Sequence, residues 1–255
     1  MIFSHIFFST LISFLSFLCV NAHKEYHLID GKSAIIIDDE AECIGHTWSE
    51  GSVYERHLIQ KFYNLLPREE PFVAFDIGAQ TGCFSLMAKF FPNSQWYAFE
   101  PIVEAATVLK KNLELNVIDN VHVENVALSD ISGTAYLAMP DKGNWGLSTI
   151  GSNPLRFAAQ SQREVPCIDL DSFVELHGIK KVHFMKLDTE GAELLILRGA
   201  KNMLLRDHPV IVMEYNETNM KQCGINKTDV DAFLIEMGYQ WKLISSEDIL
   251  CTPIC

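Results

Sequence analysis

Basic residues are scarce in this 255-residue sequence, which has 20 Lys and Arg against 33 Asp and Glu and a formal net charge of −13. Because phosphate backbones are bound by concentrated Lys and Arg, this balance argues against nucleic acid as a partner. The sequence also lacks internal repeats, low-complexity segments and any C-x-x-C pair, so a structural zinc site is not expected. The 48% hydrophobic content suits one globular domain with a full core.

The first 22 residues contain no Asp, Glu, Lys or Arg. Small residues at Val20 and Ala22 precede the polar stretch HKEYH, as they do at a signal-peptidase site. Residues 1–22 are therefore predicted to be a cleaved signal peptide. The alternative is an uncleaved membrane tether through residues 2–20, because about 19–20 apolar residues can span a bilayer. We expect a protein of the secretory pathway or an exported one, anchored in a membrane if the leader is retained.

After the leader, short apolar runs alternate with amphipathic stretches. FVAFDIG, QWYAFEP, VHVENVAL, GTAYLAMP, KVHFMKLD, PVIVMEYN and a final YQWKLIS are typical of strands, and helical patterns lie between most of them. This order predicts an α/β fold with a mostly parallel sheet covered by helices on both faces. The predicted organisation is a leader over 1–22, a helical or irregular segment over 23–70, a main domain over 71–246 and a tail over 247–255.

Acidic residues follow the strand-like runs. Ligands of parallel α/β sheets bind outside the carboxyl ends of the strands, at the switch in strand order, so residues at these ends are candidates for ligand contact. Acids at so many strand ends are difficult to explain as solvated surface alone. They are Asp76, Glu100, Asp130, Asp188 and Glu214.

The first of these acids begins the motif D-x-G-x-x-x-G over residues 76–82. Glycines allow the backbone to bend sharply and to approach a ligand closely. The motif is neither the G-x-G-x-x-G of dinucleotide sites nor a Gly-Lys-Ser/Thr phosphate loop, and an acid at the strand end would repel a pyrophosphate. It would attract the ammonium group of S-adenosylmethionine, while Glu100 could accept both ribose hydroxyls and Asp130 the adenine amino group.

Four segments resemble, in sequence and order, the FkbM-type S-adenosylmethionine-dependent methyltransferases. They are FDIGAQTGCFS, YAFEPIVEAATVLKKNLELN, VENVALSD and HFMKLDTEGAELLILRGAKNML, and the match runs from about Gly51 to Tyr239. The K-x-D-x-E-G-x-E stretch that begins at Lys186 is the most specific part. The resemblance implies a class I methyltransferase fold, which is a Rossmann-like seven-stranded sheet with one antiparallel strand. It also implies methylation of a hydroxyl of a sugar, glycan or small metabolite.

The same resemblance implies where the cofactor S-adenosylmethionine is held. One residue departs from the family, because Gln80 stands in DIGAQTG where the family usually has Asn, which places the amide one methylene further out. The implied contacts are taken together with the adjacent Ala79 and Pro101. The predicted cofactor-binding residues are Asp76, Gly78, Ala79, Gly82, Glu100, Pro101, Ser129 and Asp130.

Methyl transfer to a hydroxyl needs donor and acceptor in line, and it benefits from a base that takes the proton. Asp188 ends its strand beside the expected methyl position and is the first choice for that base or for acceptor contact. Lys186 is either a catalytic group or an ion-pair partner of the acids. His183 points to the opposite face of the strand and is expected to pack in the fold. The predicted catalytic residues are Asp188, Lys186, Glu190 and Glu214.

Two further features have alternative explanations. Glu193 begins a helix, where an acid also favours the helix dipole. Asp188, Glu190 and Glu214 could together hold Mg²⁺, but their spacing does not define a coordination geometry, so no metal is predicted.

The glycine-punctuated loop over 141–154 has the composition of a lid over the acceptor. Trp145 on this loop could stack on a sugar face, with His46 and Trp48 in the same cleft.

Two classes of function remain open. The enzyme would bind S-adenosylmethionine and methylate a small-molecule or glycan acceptor. The alternative is a domain that binds S-adenosylmethionine without turnover, as an exported or membrane-anchored binding module. A dinucleotide-dependent oxidoreductase is disfavoured by the glycine spacing.

Overall fold

The structure is a computed structural model that describes residues 22–38, 56–140, 145–150 and 161–254. Most of the predicted leader, the segment with His46 and Trp48, and both ends of the predicted lid lie outside these residues. In chain order, the strands are β1 (Ala22–Ile29), β2 (Lys32–Asp38), β3 (Val73–Ile77), β4 (Gln95–Phe99), β5 (Val121–Glu124), β6 (Ala127–Leu128), β7 (Gly133–Met139), β8 (Ser161–Ile168), β9 (Phe184–Leu187), β10 (Val210–Glu214), β11 (Tyr239–Leu243) and β12 (Asp248–Pro253).

Helices cover the sheet and connect its strands. Within the described residues, no helix is long and apolar enough to cross a membrane. Short 3₁₀ turns of the described residues occur at Ser85–Phe90 and Trp145–Leu147. The α-helices are α1 (Arg56–Leu65), α2 (Val103–Leu115), α3 (Leu170–Leu176), α4 (Glu193–Arg198), α5 (Lys201–Asp207), α6 (Glu217–Gln222) and α7 (Lys227–Glu236).

The central sheet has seven strands in the order β11-β12-β10-β9-β3-β4-β5. The strands pair in parallel except for β12, which is antiparallel to both β10 and β11. Strand order reverses between β3 and β9, so the connections after these two strands diverge and leave a crevice at their carboxyl ends. The prediction of a seven-stranded, mostly parallel sheet with one antiparallel strand is confirmed.

Side chains of the central strands alternate between two hydrophobic cores, one on each face of the sheet. Phe75 and Ile77 of β3 belong to one core, and Ala74 between them belongs to the other. Phe75 contacts Phe99 and Phe173 edge-on, with ring centroids 5.4 and 6.2 Å away. This double burial fixes the carboxyl ends of β3 and β4 rigidly.

The N-terminal segment differs from its prediction. Residues 23–70 were expected to be helical or irregular, and α1 agrees, but β1 and β2 form an antiparallel hairpin. Asn112 of α2 and Asn116, which follows it, bind the edge of β2: Asn112 Oδ1 accepts from the Ile37 N–H at 2.9 Å, and Asn116 Oδ1 accepts from the Ile35 N–H at 2.9 Å. The hairpin is thus stabilised by contacts that are distant in sequence.

The prediction of a C-terminal tail over 247–255 is wrong. Residues Asp248–Pro253 form β12, an interior strand that pairs with both β10 and β11. Ile249 and Cys251 are completely buried in it, and Cys251 is a free thiol. Pro253 at its end concealed the strand, because proline is tolerated only at strand ends or edges.

The predicted third strand also differs. VHVENVAL separates at Asn125 into β5, which ends the central sheet, and β6, which joins a three-stranded sheet of order β6-β8-β7. Between the strand-like runs KVHFMKLD and PVIVMEYN the chain forms two helices, α4 and α5, which are separated at Gly199, and after FVAFDIG it forms a 3₁₀ turn at Ser85–Phe90. A Cβ at Gly199 would lie 2.1 Å from the Ser129 carbonyl oxygen, so the two helices are separated where the backbone packs closely against Ser129.

Candidate active site

A cavity of about 600 Å³ opens at the carboxyl ends of β3, β4, β9 and β10. Its position is the one expected for a ligand of a parallel sheet, at the reversal of strand order. Six of the predicted site residues line it: Gly78, Glu100, Pro101, Asp188, Glu190 and Glu214.

The glycine turn after β3 forms the floor of the cavity. Gly78 has φ +75°, and a Cβ there would lie 1.8 Å from the Asp188 carbonyl oxygen. The N–H groups of Gly78 and Ala79 donate to the Phe99 carbonyl at 3.1 and 3.0 Å. Gly82 allows the turn to pack on Leu109 of α2, because a Cβ at Gly82 would lie 2.3 Å from Leu109 Cδ1. Ala79 and Gly82 support the turn and do not line the cavity.

Glu100 presents a fixed carboxyl group at the end of β4. Its Oε2 accepts from the Gln80 N–H at 2.9 Å, and its Oε1 accepts from the Ile102 N–H at 2.8 Å. Burial raises the pKa of Glu100 to about 7, although the two N–H donors oppose this rise. Each oxygen keeps a second lone pair, so the ionised group could still accept a pair of hydroxyls.

Asp76 and Lys186 lie beneath the turn rather than on the cavity surface. Asp76 is buried, accepts from Ser85 Oγ at 2.6 Å and lies 3.8 Å from Lys186 Nζ. Lys186 Nζ also donates to the Gly78 carbonyl at 3.2 Å and lies 3.4 Å from Asp188 Oδ2. Burial raises the pKa of Asp76, and the Lys186 ammonium opposes that rise. Both residues therefore support the glycine turn from below, and Lys186 also contacts Asp188.

Glu190 and Glu214 lie together on the cavity wall that also carries Asp188. Asn219 Nδ2 donates to Glu190 Oε2 and to Glu214 Oε1, each at 2.7 Å. Burial, and then the neighbouring charges of Asp188, Glu193 and Glu190, raise the pKa of Glu214 to about 10. At neutral pH Glu214 is therefore a neutral hydrogen-bonding group, which sequence reasoning did not distinguish from an ionised acid.

Two candidates from the sequence have supporting roles. Glu193 Oε1 accepts from the Thr189 N–H at 2.7 Å and from Thr189 Oγ1 at 2.9 Å, so it holds the turn that carries Glu190. His183 Nδ1 accepts from the Val73 N–H at 3.0 Å, which confirms that it packs in the fold. The described residues contain no group of three His, Cys, Asp or Glu side chains arranged for a metal ion.

Ser129 and Asp130 do not reach the cavity. They follow β6, where Ser129 is buried and Asp130 is exposed. The expectation that Asp130 follows a third strand of the central sheet is wrong, because the chain leaves that sheet at Asn125. An apolar wall formed by Val126, Ala127 and Leu128 lines the cavity at this end instead.

The described part of the predicted lid, residues 145–150, lies at the cavity. Trp145 and the residues after it line one wall, and Thr149 Oγ1 donates to the Glu190 carbonyl at 2.9 Å. A Cβ at Gly146 would lie 2.4 Å from Gln80 Nε2, so the side chain that departs from the family contacts this loop. Gln80 and Trp145 therefore lie close together on the cavity wall.

Sequence reasoning missed the residues that the C-terminal strand brings to the site. His57 on α1 lines the cavity together with the turn that leads into β12. Asp248 accepts from Ser245 Oγ, and its register partner across the strands is Glu214. Only recognition of β12 as a strand would have predicted this position. The residues of that turn are Ser245, Ser246, Glu247 and Asp248.

The strand order, the turn at the switch point and the carboxyl group ending β4 together define a Rossmann-like sheet of the class I methyltransferase type. The family model described as the methyltransferase FkbM domain matches residues 76–241, and the chain belongs to this family.

Individual relatives are distant. "Methyltransferase 1" of Beauveria bassiana (strain ARSEF 2860) is 29% identical over 164 residues, which are 58% of this chain and 66% of that protein. "2-O-methyltransferase NoeI" of Sinorhizobium fredii (strain NBRC 101917 / NGR234) is 25% identical over 174 residues, 63% of this chain and 70% of that protein. The crystal structure of methyltransferase FkbM from Methylobacillus flagellatus KT has a TM-score of 0.48 and 15% identity, over 74% of this chain and 45% of that one. This chain thus spans just under two thirds of the Beauveria protein's length.

Proposed function

We propose that the protein is an S-adenosylmethionine-dependent methyltransferase that acts on a hydroxyl of a sugar, glycan or small metabolite. The observation that carries this proposal is the Glu100 carboxyl, fixed by two backbone N–H groups beside a glycine turn and facing a cavity of about 600 Å³. Family membership supports methyl transfer, and the similarity to the Sinorhizobium 2-O-methyltransferase supports oxygen as the acceptor atom.

The cavity residues fit the cofactor by their chemistry. Glu100 would accept its ribose hydroxyls, Pro101 and the apolar wall that begins at Val126 would contact its adenine, and Gly78 leaves room for close approach of its amino-acid portion. When bound, S-adenosylmethionine supplies a methyl group on a positively charged sulfur. The chain has to align an acceptor oxygen with that methyl and exclude water.

Asp188 is the proposed base. It lies at the cavity edge of β9, its side chain is 31% exposed, and Lys186 Nζ holds it from below at 3.4 Å. An acceptor hydroxyl bonded to Asp188 would lose its proton to that carboxylate as the oxygen takes the methyl group. Glu190 and Glu214 would bind further hydroxyls of the acceptor, and the loop at Trp145 would cover it.

Isothermal titration with S-adenosylmethionine and with NAD tests cofactor choice, and tighter binding of NAD would contradict the proposal. Transfer of labelled methyl from S-adenosylmethionine to glycans and small hydroxylated metabolites tests the reaction. An Asp188→Asn variant should retain cofactor binding and lose about 10²–10⁴-fold in rate. Cofactor binding without transfer to any acceptor would favour the second candidate, a binding module without turnover.

We also propose that residues 1–22 direct the protein into the secretory pathway, and that residues 2–20 tether it to a membrane if they are not removed. The uncharged, apolar composition of the segment supports this. N-terminal sequencing of the mature protein tests it, because cleavage after Ala22 and retention of Met1 are opposite outcomes.

A further inference from the structure

Three neighbouring strands carry acids to one edge of the cavity. Asp188 follows β9, Glu214 ends β10 and Asp248 begins β12; we call these three the acid edge. Glu214 and Asp248 are direct partners in the antiparallel register, and Leu187 pairs with Met213, which brings Asp188 alongside Glu214. Acids placed directly opposite each other destabilise a sheet. Stability alone therefore does not account for this arrangement.

Positive charge is scarce on the cavity surface. Among the described residues that line the cavity, His57 alone has a basic side chain. Lys186 is buried behind the acid edge, where its Nζ is held by Asp76, Asp188 and the Gly78 carbonyl. Lys186 thus offsets Asp188 from behind, but no Lys or Arg among the described residues lines the cavity beside Glu214 and Asp248.

Glu214 provides a second, independent observation. Its side chain is nine-tenths buried and lines the cavity, and its Oε2 has no hydrogen-bond partner within the described part of the chain. Because Oε1 accepts from Asn219, the proton of the neutral acid lies on Oε2, where no described group accepts it. A bound ammonium group would take the place of that proton, which is released to solvent, and would give the buried carboxylate a charged donor. Burial raises the pKa of Glu214 and of Asp248, which is the cost that a bound cation would remove.

We propose that the acceptor carries a protonated amine close to the hydroxyl that is methylated, and that this ammonium group binds the acid edge. The inference rests on the proposed function, because it identifies the acceptor of the same cavity. An ammonium group has three N–H donors and no acceptor, which suits Glu214 Oε2 and its acidic neighbours. A phosphate, sulfate or carboxylate in its place would be repelled by Asp188 and Asp248.

The test uses three sugars that differ only in one group: D-glucosamine, D-glucose and D-glucuronate. Each is titrated into the full protein saturated with S-adenosylhomocysteine, and binding is followed by ligand-observed NMR. Glucosamine should bind about tenfold more tightly than glucose, as a charge-assisted hydrogen bond provides, and glucuronate should bind least. Equal binding of the three, a preference for glucuronate, or no binding of any of them overturns the inference.

Variants locate the preference. Glu214→Gln and Asp248→Asn keep the shape of each side chain, remove its acidity and should bring the ratio of glucosamine to glucose affinity close to one. Glu175→Gln, an exposed acid on α3, is the matched control and should leave the ratio unchanged. A preference that survives both acid-edge variants contradicts the inference.

The cofactor titration separates the two proposals. If S-adenosylmethionine binds and the amine preference is absent, only the inference about the acceptor fails. If the amine preference is present and S-adenosylmethionine does not bind, the proposed function fails.

Discussion

The raised pKa of Glu100 predicts that ligand affinity depends on pH. Burial raises its pKa from 4.5 to about 7, so the group is protonated below that pH and ionised above it. Roughly a tenth of these side chains are ionised at pH 6 and roughly nine tenths at pH 8. Since the ionised form accepts hydroxyl donors best, the affinity for S-adenosylmethionine should rise about tenfold across this range, as measured by isothermal titration.

A pair of variants shows whether Glu100 is responsible for that rise. Glu100→Gln should bind more weakly at pH 8 and lose the pH dependence, because its amide does not titrate. Glu114→Gln, an exposed acid on α2, should titrate like the natural protein. A rise that persists in Glu100→Gln would assign the dependence to another group.

Gly78 and Gly238 have nearly the same backbone conformation in different surroundings. Their φ values are +75° and +77°, but a Cβ at Gly78 would lie 1.8 Å from the Asp188 carbonyl oxygen, whereas nothing lies within 4 Å of one at Gly238. Gly238→Ala should therefore cost about 1–2 kcal/mol of unfolding free energy, from backbone strain alone. Gly78→Ala should cost more than about 4 kcal/mol or prevent folding. Urea denaturation measures both, and similar losses would show that the close contact is not limiting.

At the residue scale, sequence reasoning located the site but not the state of its residues. The strand-end rule brought Glu100, Asp188 and Glu214 to one cavity, as the structure confirms. It could not separate Asp76, which lies under the turn, from Glu100, which faces the cavity, because each is an acid near the end of an apolar run. Burial and neighbouring charge decide that difference, and both depend on residues distant in sequence.

Among the elements, α2 connects the N-terminal hairpin to the site. Asn112 is fully buried, its Oδ1 accepts from the Ile37 N–H and its Nδ2 donates to the Thr81 carbonyl, each at 2.9 Å. Asn112→Ala would leave two buried backbone groups without partners and should cost about 2–5 kcal/mol. Asn64→Ala, at an exposed position of α1, is the control and should cost under about 1 kcal/mol.

Chemical denaturation gives the free energies for this pair, and hydrogen exchange gives the location. The Ile37 amide should exchange faster in Asn112→Ala than in the natural protein, because its acceptor is removed. Unchanged exchange at Ile37 would mean that the hairpin is held by other contacts.

Strands were predicted correctly where the local sequence pattern alone is sufficient to define them. The strands at Val73–Ile77 and Gln95–Phe99 are buried on both faces and read as apolar runs. It failed at β8, which is largely polar and contains Pro166, and at β12, which ends in Pro253. These two strands exist because partners such as β7 and β10 offer open edges, and a local pattern contains no record of those edges.

On the scale of the whole molecule, buried acids are expected to set the pH dependence of stability. Burial raises the pKa of every member of one set: Asp76, Glu100, Glu193, Glu214 and Asp248. An acid with a raised pKa holds its proton in the folded state and releases it on unfolding. Above the unfolded value near 4.5, a rise in pH therefore favours unfolding. The free energy of unfolding should fall between pH 6 and pH 8.

Glu214 should contribute most to that fall, because its folded pKa of about 10 lies beyond the whole range. An acid that titrates only on unfolding changes stability by about 1.4 kcal/mol per pH unit, so Glu214→Gln should remove about 2–3 kcal/mol of the difference between pH 6 and pH 8. Acids with lowered pKa, such as Glu104 and Asp169, act in the opposite direction but only at lower pH. Urea denaturation of the natural protein, Glu214→Gln and the exposed-acid control Glu175→Gln at both pH values measures the effect. If the natural protein and Glu214→Gln lose stability in parallel, Glu214 is already ionised in the folded protein and its pKa is not raised.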